Sequence, residues 1–256
     1  MLNTLSHLTG SSVTATDGAI GHVKAAFFDD RSWTLRYVAV DTGKWLSGRE
    51  VLISPYAVRQ ALGSGKNIDV SLTRDQVKAS PEIDTHQPVS RQHELAFTDY
   101  YAYPQYWEGA GMWGMGDYPL LPSYAPTPEE MAARAAAHQR DFQANEVHLR
   151  SSVKVAGYEI HATDGTIGHV QDFVFDDESW AIRYLLVDTR NWWPGGRKVL
   201  IATRWIESID WSSSTVQVNL TREQVKASPE YHEAQPIARD YEKRLHDAYS
   251  RTGYWD

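Results

Sequence analysis

The sequence predicts a mainly β protein made of two small antiparallel β-barrels from an internal duplication, each followed by short helices. One long run occurs twice in the 256-residue chain. Within that run apolar and polar residues alternate, which is typical of half-buried strands. Short predicted strands follow one another without long helices between them, and this spacing favours an antiparallel barrel or sandwich over a parallel sheet.

The duplication is visible as two similar runs 147 positions apart. Ala15–Thr42 reads ATDGAIGHVKAAFFDDRSWTLRYVAVDT, and Ala162–Thr189 reads ATDGTIGHVQDFVFDDESWAIRYLLVDT. One extra residue near Gly195–Gly196 shifts the offset to 148, and Ser71–Glu82 then matches Asn219–Glu230. This period is far longer than that of a solenoid repeat, so each copy is a domain-sized unit.

Three segments are expected along the chain. The first barrel module and its helical tail occupy residues 1–100, an aromatic Gly/Pro-rich linker with a helix occupies 101–150, and the second module with its tail occupies 151–256. Glycine and proline in the linker favour irregular structure, whereas its many aromatic residues argue against a fully solvated chain. Pro128 and two glutamates begin the linker helix, which is expected to run from Thr127 to about Phe142.

The first elements of each copy are a hairpin and a central strand. Asp17–Gly18 suits a tight turn, because glycine supplies the positive φ that such turns need. The next strand spans Ile20–Phe28 and ends in a polar turn. The central strand then places Trp33, Leu35, Tyr37 and Ala39 on one face. The second copy repeats these elements, and we expect the aromatic residues of this face in the core.

The later elements end in helices. Strands are predicted around Val51–Ser54 and Ile68–Leu72. Thr73 followed three residues later by Gln76 is a capping-box pattern, and Pro81 keeps that helix short. The same pattern recurs at Thr221, and helical spacing also predicts tail helices over Val89–Tyr101 and Ile237–Tyr249.

Composition narrows the classes of function. The chain has no cysteine, which excludes disulfides, thiolate nucleophiles and cysteine-ligated zinc. The net charge is −8 and no segment is basic, so nucleic acid is not expected as a partner. No apolar stretch is long enough to span a membrane and the first residues lack a signal-peptide pattern, so the cytoplasm is the expected location.

Few residues suggest chemistry. His22 and His169 occupy equivalent positions in the repeat, where they are weak candidates for metal binding or proton relay, or ordinary strand-face histidines. The pairs Asp29–Asp30 and Asp176–Asp177 are interpreted as turn residues, since neighbours on a strand point to opposite faces. With no nucleophile elbow and no phosphate loop, we expect no enzyme and no cofactor.

Aromatic residues outside the predicted strands are the candidates for a partner interface. Trp45, Trp192 and Trp193 fall in the loop before the fourth strand, as exposed anchors or as lids over a barrel mouth. The tail and linker add Tyr101, Tyr103, Tyr106, Trp107 and Trp113. These residues either pack between the barrels or form an interface with a partner or a second copy, where Tyr and Trp are enriched.

The motifs resemble those of the PRC-barrel family. The runs DG-x-IGHV, W-x-[LI]-RY, VDT, R-x-VLI and LT-R-x-QVK-x-SP occur in this order twice, and the resemblance covers Ser6–Tyr106 and Val153–Trp255. The family includes the cytoplasmic barrel of the photosynthetic reaction-centre H subunit, the C-terminal barrel of a ribosome maturation factor, and free-standing bacterial proteins. The resemblance implies a barrel that contacts other proteins and has no catalytic residue set of its own.

This resemblance implies a non-catalytic tandem PRC-barrel protein that acts as a protein–protein adaptor. Its expected partner is another protein or a second copy of the chain in a homo-oligomer. One alternative is a regulatory module associated with a photosynthetic or electron-transfer membrane complex, bound peripherally because the chain has no spanning segment. A second alternative is a metal-dependent activity at the repeated His and Asp positions. Direct RNA contact at the ribosome is disfavoured by the acidic charge.

Overall fold

The computed structural model describes residues 1–60, 66–82, 89–107, 109–121, 147–190, 192 and 194–256. These residues form a mainly β protein, as predicted, with two sheets and a few helices. The linker helix predicted over Thr127–Phe142 lies outside the described residues. No helix in the described part of the chain combines the length and the apolar character needed to cross a membrane.

The chain divides into two compact units. Unit N comprises Thr9–Ser151 and Glu178–Trp180, and unit C comprises Met1–Leu8, Ser152–Asp177 and Ala181–Asp256. The expected boundaries at residues 100 and 150 therefore differ from those of the units. Residues 1–8 lie in unit C because their strand pairs there, and the described linker residues lie in unit N because their aromatic side chains pack on it.

Unit N contains one sheet and two helices among its described residues. Its strands are β2 (Ser12–Ala15), β3 (Gly18–Asp29), β4 (Thr34–Asp41), β5 (Glu50–Ile53), β6 (Asn67–Asp69), β7 (Val89–Ser90) and β8 (Val147–Ser151). The sheet order is β5-β4-β3-β2-β6, and β8 pairs with both β3 and β7. Its helices are α2 (Arg74–Lys78) and α3 (Arg91–Tyr101). Single 3-10 turns lie at Gly43–Leu46 and Pro55–Ala57.

Unit C repeats most of this arrangement. Its strands are β1 (Leu2–Thr4), β9 (Glu159–Ala162), β10 (Gly165–Asp176), β11 (Ile182–Asp188), β12 (Lys198–Ala202), β13 (Ile206–Asp210) and β14 (Thr215–Val218). The order is β12-β11-β10-β9-β14-β13, with β1 paired to β10. Its helices are α1 (Leu5–Leu8), α4 (Ser152–Val155), α5 (Arg222–Ala227) and α6 (Arg239–Ala248), and a 3-10 turn lies at Thr203–Trp205.

The hairpins and capped helices form where the sequence predicts them. Gly18 adopts φ 145° at the start of β3, and Gly165 adopts φ 133° at the start of β10. Thr73 and Thr221 each complete a capping box with the glutamine three residues later. In both units the aspartate of the hairpin turn also accepts a hydrogen bond from the first amide of the capped helix, at 2.8 Å.

The central strands differ from the expected pattern in two ways. Trp33 and Trp180 have left-handed backbones, with φ 53° and 59°, so they lie in the turn before the strand and not within it. Every residue of β4 from Thr34 to Val40 is buried, so neither face of this strand is exposed to solvent. Arg36 is buried because Tyr106 and Trp113, from the segment that follows α3, cover it.

Candidate functional site

Unit N contains a buried carboxylate–tyrosine pair where the segment that follows α3 packs on the sheet. Glu94 of α3 is 0% exposed, and it accepts a hydrogen bond from the hydroxyl of Tyr106. The guanidinium carbon of Arg36 lies 3.6 Å from the centre of the Tyr106 ring and 4.7 Å from that of Trp113. A cation against a tyrosine and a tryptophan is stabilised by the charge distribution of the rings, and by more when water is excluded.

Further hydrogen bonds join Arg36 and the segment that follows α3 to the rest of unit N. Nη1 of Arg36 donates to the carbonyl of Met112 at 2.6 Å, and Nη2 donates to Oγ of Ser32 at 3.0 Å. The indole nitrogen of Trp113 donates to the carbonyl of Ser179 at 2.8 Å. These hydrogen bonds join Met112 and Trp113 to the rest of unit N, so both residues form part of its fold.

Unit C has an equivalent but more polar cluster. Glu242 of α6 is 2% exposed, and Oε1 accepts a hydrogen bond from the hydroxyl of Tyr184 at 2.8 Å. The same hydroxyl lies 3.0 Å from Nε2 of His246, and Nδ1 of His246 lies 2.9 Å from the carbonyl of Thr252. Each of these three contacts needs one proton to be a hydrogen bond. A neutral tyrosine and a neutral histidine supply two protons, so all three are hydrogen bonds at once only when Glu242, Tyr184 and His246 share one additional proton.

One arginine contacts this carboxylate, and the rings of Tyr254 and Trp255 pack against two arginines. Nη1 of Arg239 lies 3.0 Å from Oε2 of Glu242. The guanidinium of Arg183 lies 4.1 Å from the Tyr254 ring centre, and that of Arg239 lies 4.2 Å from the Trp255 ring centre. The buried carboxylate of Glu242 therefore has a positively charged partner within its own unit.

Burial changes the acid–base properties of these groups. Burial raises the pKa of Tyr184, and the nearby charge of Glu242 raises it further. Burial lowers the pKa of His246, against the opposing effects of its hydrogen bond to Thr252 and of the charge of Glu242. In unit N, burial raises the pKa of Tyr56 to about 12. The tyrosines are therefore neutral donors near neutral pH.

The arginine and the glutamate of each cluster were not singled out from the sequence, although both copies contain them. The RY dipeptide supplies Arg36 in unit N and Arg183 in unit C. A glutamate recurs 148 positions apart, at 94 and 242, inside the two tail helices. A charged residue repeated at the same place in two amphipathic helices was the available signal. The position of His246 is occupied by Thr98 in the first copy, so the three-residue network belongs to unit C.

Several predicted interface residues are buried within unit N. Tyr103, Tyr106 and Trp113 are 4–6% exposed. Tyr56 packs against two of them, with ring centres 5.4 Å from Tyr103 and 5.0 Å from Trp113. Their rings present almost no surface to a partner. Tyr101, which stacks on Tyr103, is half-buried, and so is Trp107.

The loop tryptophans are more accessible. Trp45 and Trp192 are half-buried in equivalent loops, whereas Trp193 lies outside the described residues. The guanidinium of Arg74 lies 4.5 Å from the centre of the Trp45 ring. Arg74 begins helix α2, whose first amide is bonded to Asp17, so the ring rests against a structured part of the unit.

The repeated histidines lie opposite aspartates on neighbouring strands. His22 is exposed and faces Asp41 across β3 and β4, and His169 faces Asp188 across β10 and β11. Arg190 lowers the pKa of Asp188 to about 2 by donating hydrogen bonds to its carboxylate. In the described ranges, three or more His, Asp or Glu side chains do not gather in a group that could hold a metal ion.

Comparison with known proteins finds similarity over part of the chain. No family model matches the chain. A 73-residue segment is 38% identical to part of an uncharacterised protein of Deinococcus radiodurans. The matched segment covers 28% of this chain and 26% of that protein. The similarity therefore concerns about a quarter of each chain.

Proposed function

We propose that this chain is a non-catalytic tandem PRC-barrel protein, derived by internal duplication, which acts as a protein–protein adaptor. The observation that carries the proposal is the pair of half-buried tryptophans, Trp45 and Trp192, in equivalent loops of the two units. Tryptophan is among the residues that contribute most binding energy at protein interfaces, because its large ring loses much water-exposed surface on contact.

The described residues at the base of these two loops make the same contact in both units. Oγ1 of Thr42 donates to the carbonyl of Arg49 at 2.6 Å, and Oγ1 of Thr189 donates to the carbonyl of Arg197 at 2.7 Å. Arg49 in turn donates to the carbonyl of Lys78 at 2.9 Å, at the end of α2. Hydrogen bonds at the base of a loop reduce the conformational entropy that the loop loses on binding, which favours affinity.

The buried charged groups support a binding role over a catalytic one. Glu94 is bonded to a tyrosine, and Glu242 contacts a tyrosine and an arginine within its own unit. These contacts stabilise the packing of the tail helices. The surplus of acidic residues, with a net charge of −8, favours protein partners over nucleic acid.

The test is a pull-down from an extract of the native host with the tagged full chain. We expect the double variant Trp45→Ala/Trp192→Ala to pull down at least about tenfold less partner protein than the unmodified chain. Each anchor residue at an interface contributes about 2 kcal/mol or more of binding free energy. Mass spectrometry identifies the retained proteins. Subunits of an electron-transfer membrane complex among them would favour the regulatory alternative.

A matched control is Trp211→Ala, which removes another half-buried tryptophan of unit C outside these loops. It should retain the partners, and circular dichroism should show that all variants are folded. Retention of every partner by the double variant would contradict the proposal.

A further inference from the structure

The long strand β3 has two different neighbours along one edge. Strand β2 pairs only with its first part, from Gly18 to His22. The later part, Phe27–Asp29, pairs with β8, which lies more than a hundred residues further along the chain. Without β8 this edge would expose unpaired amides and carbonyls beside two phenylalanines that are fully buried.

Strand β10 of unit C has the same division. Strand β9 pairs with Gly165–His169, and β1 pairs with Val174–Asp176. Side chains also hold β1 and α1 in place. The carboxylate of Asp172 accepts a hydrogen bond from the backbone amide of Ser6 at 3.2 Å. The carboxylate of Asp177 accepts one from the side-chain amide of Asn3, also at 3.2 Å. Leu5 and Leu8 are buried.

The two pairings are equivalent in register. Leu2 lies opposite Asp176, and Leu149 lies opposite Asp29. Leu2 and Leu149 are 147 positions apart, as are the two aspartates. The strand that precedes each repeat therefore pairs with the long strand of the other repeat. Each repeat is completed by a strand that its own sequence neighbours do not supply.

We propose that β1 is an exchangeable donor strand and that the partner it fits is a second copy of this chain. Residues 1–8 of one chain would occupy the β10 edge of another, with the contacts that they make within one chain. The chain leaves unit C at Leu8 and enters unit N at Thr9, next to Gly10 with φ 81°. This short connection is where the path would change, since exchange of an identical element is a low-cost route to dimers.

This inference goes beyond the adaptor role, because it concerns strand β1 and not the loop tryptophans. The two proposals are therefore tested by different variants, and either can fail alone. Within one chain the donor strand has an effective concentration in the millimolar range, so exchange between chains is expected at high protein concentration or after partial unfolding.

The experiment uses disulfide trapping in the full chain, which has no cysteine of its own. The amide of Asp177 donates to the carbonyl of Met1 at 3.0 Å, so Leu2 and Asp176 form a non-hydrogen-bonded pair. The Cα atoms of such pairs are about 4.5 Å apart, which a disulfide can bridge. One chain carries Leu2→Cys and the other Asp176→Cys. They are mixed in moderate urea, refolded at high concentration and oxidised.

We expect at least about tenfold more covalent dimer from this mixture than from a control mixture of Leu2→Cys with Asp240→Cys, because only strand pairing supplies the high local concentration. Asp240 is exposed on α6 and serves as the unpaired position. In the double variant Leu2→Cys/Asp176→Cys, an oxidised chain should stay monomeric on size-exclusion chromatography, whereas the reduced chain should form dimers after the same treatment. Equal yields from the two mixtures would overturn the inference.

Discussion

Single residues in unit C decide how a buried carboxylate is accommodated. Tyr184 connects Glu242 to His246, and both contacts depend on one hydroxyl. A buried acceptor that loses its donor must bear the full desolvation penalty, whereas water compensates an exposed one. The hydroxyl is therefore expected to matter more than its size suggests.

Replacing Tyr184 with phenylalanine tests this expectation. We expect the free energy of unfolding to fall by about 1–3 kcal/mol, because the variant leaves Glu242 and His246 without their shared partner. Urea unfolding monitored by circular dichroism measures the change. The control Tyr158→Phe removes the hydroxyl of a half-buried tyrosine of the same unit, and its effect should stay within about 0.5 kcal/mol. Equal effects of the two variants would count against the network.

The histidine of the network predicts a pH dependence. The ordinary pKa of histidine is 6.5, and burial lowers the pKa of His246 in the folded protein. Between these two pKa values only the unfolded chain takes up a proton at this group. The free energy of unfolding should therefore decrease as the pH falls below about 6.5 and recover as it rises. Unfolding curves between about pH 5 and pH 7 should show a smaller slope for His246→Asn. An unchanged slope would show that other groups cause the dependence.

At the scale of elements, helix caps and the residues that follow α6 stabilise individual parts of each unit. The capping boxes at Thr73 and Thr221 satisfy amides that a short helix leaves unpaired. The tail after α6 depends on a close approach at Gly253, where a Cβ atom would lie 2.3 Å from the ring of Trp255. Both features are local, and each can be changed without altering the sheet.

Removal of one cap should weaken unit C. Thr221→Ala is expected to lower the free energy of unfolding by about 1 kcal/mol, because the amide of Gln224 loses its acceptor. Thr221→Ser retains a hydroxyl and should behave as the unmodified protein. Urea unfolding compares the three chains, and a serine variant as unstable as the alanine variant would contradict the capping explanation.

A methyl group at position 253 should displace the final residues. In Gly253→Ala the new Cβ would overlap the Trp255 ring, so Tyr254 and Trp255 are expected to leave the arginines that they cover. Faster hydrogen exchange around residues 250–256 and a change in tryptophan fluorescence would report this. The control Gly116→Ala has open space at its Cβ and no positive φ, so it should leave both signals unchanged. Identical spectra for the two variants would contradict the predicted overlap.

At the scale of the whole molecule, charge and strand connectivity determine which partners are expected. The net charge of −8 repels polyanions. Strand β1 lies in residues 1–8, which belong to unit C, and unit C otherwise consists of residues from 152 onward. The first property follows from composition. The second depends on which strand each sheet edge accepts.

The charge leads to a prediction for nucleic acid. We expect no saturable binding of the full chain to duplex DNA or single-stranded RNA at about 0.15 M salt, since phosphate neutralisation supplies most of the affinity of nucleic-acid binders. Fluorescence anisotropy with labelled oligonucleotides measures it. A basic DNA-binding domain serves as the positive control, and a salt-dependent binding curve for this chain would contradict the expectation.

The sequence by itself determined the local elements. The mainly β class, the hairpin glycines, the capping boxes and the tail helices were predicted and are present, because turns, caps and strand alternation depend on neighbouring residues. The predicted helix near Thr127 and the side chain of Trp193 lie outside the described residues. The partner surfaces suggested by the loop tryptophans stay predictions.

Only the tertiary structure decided which distant groups meet. It placed Arg36 under the rings of Tyr106 and Trp113, and it joined Tyr184, Glu242 and His246 although up to 62 residues separate them. It also assigned β1 to unit C and β8 to unit N. Local patterns show that a strand edge or a buried charge exists. The partner of each is set by long-range packing, which has no signature in the neighbouring sequence.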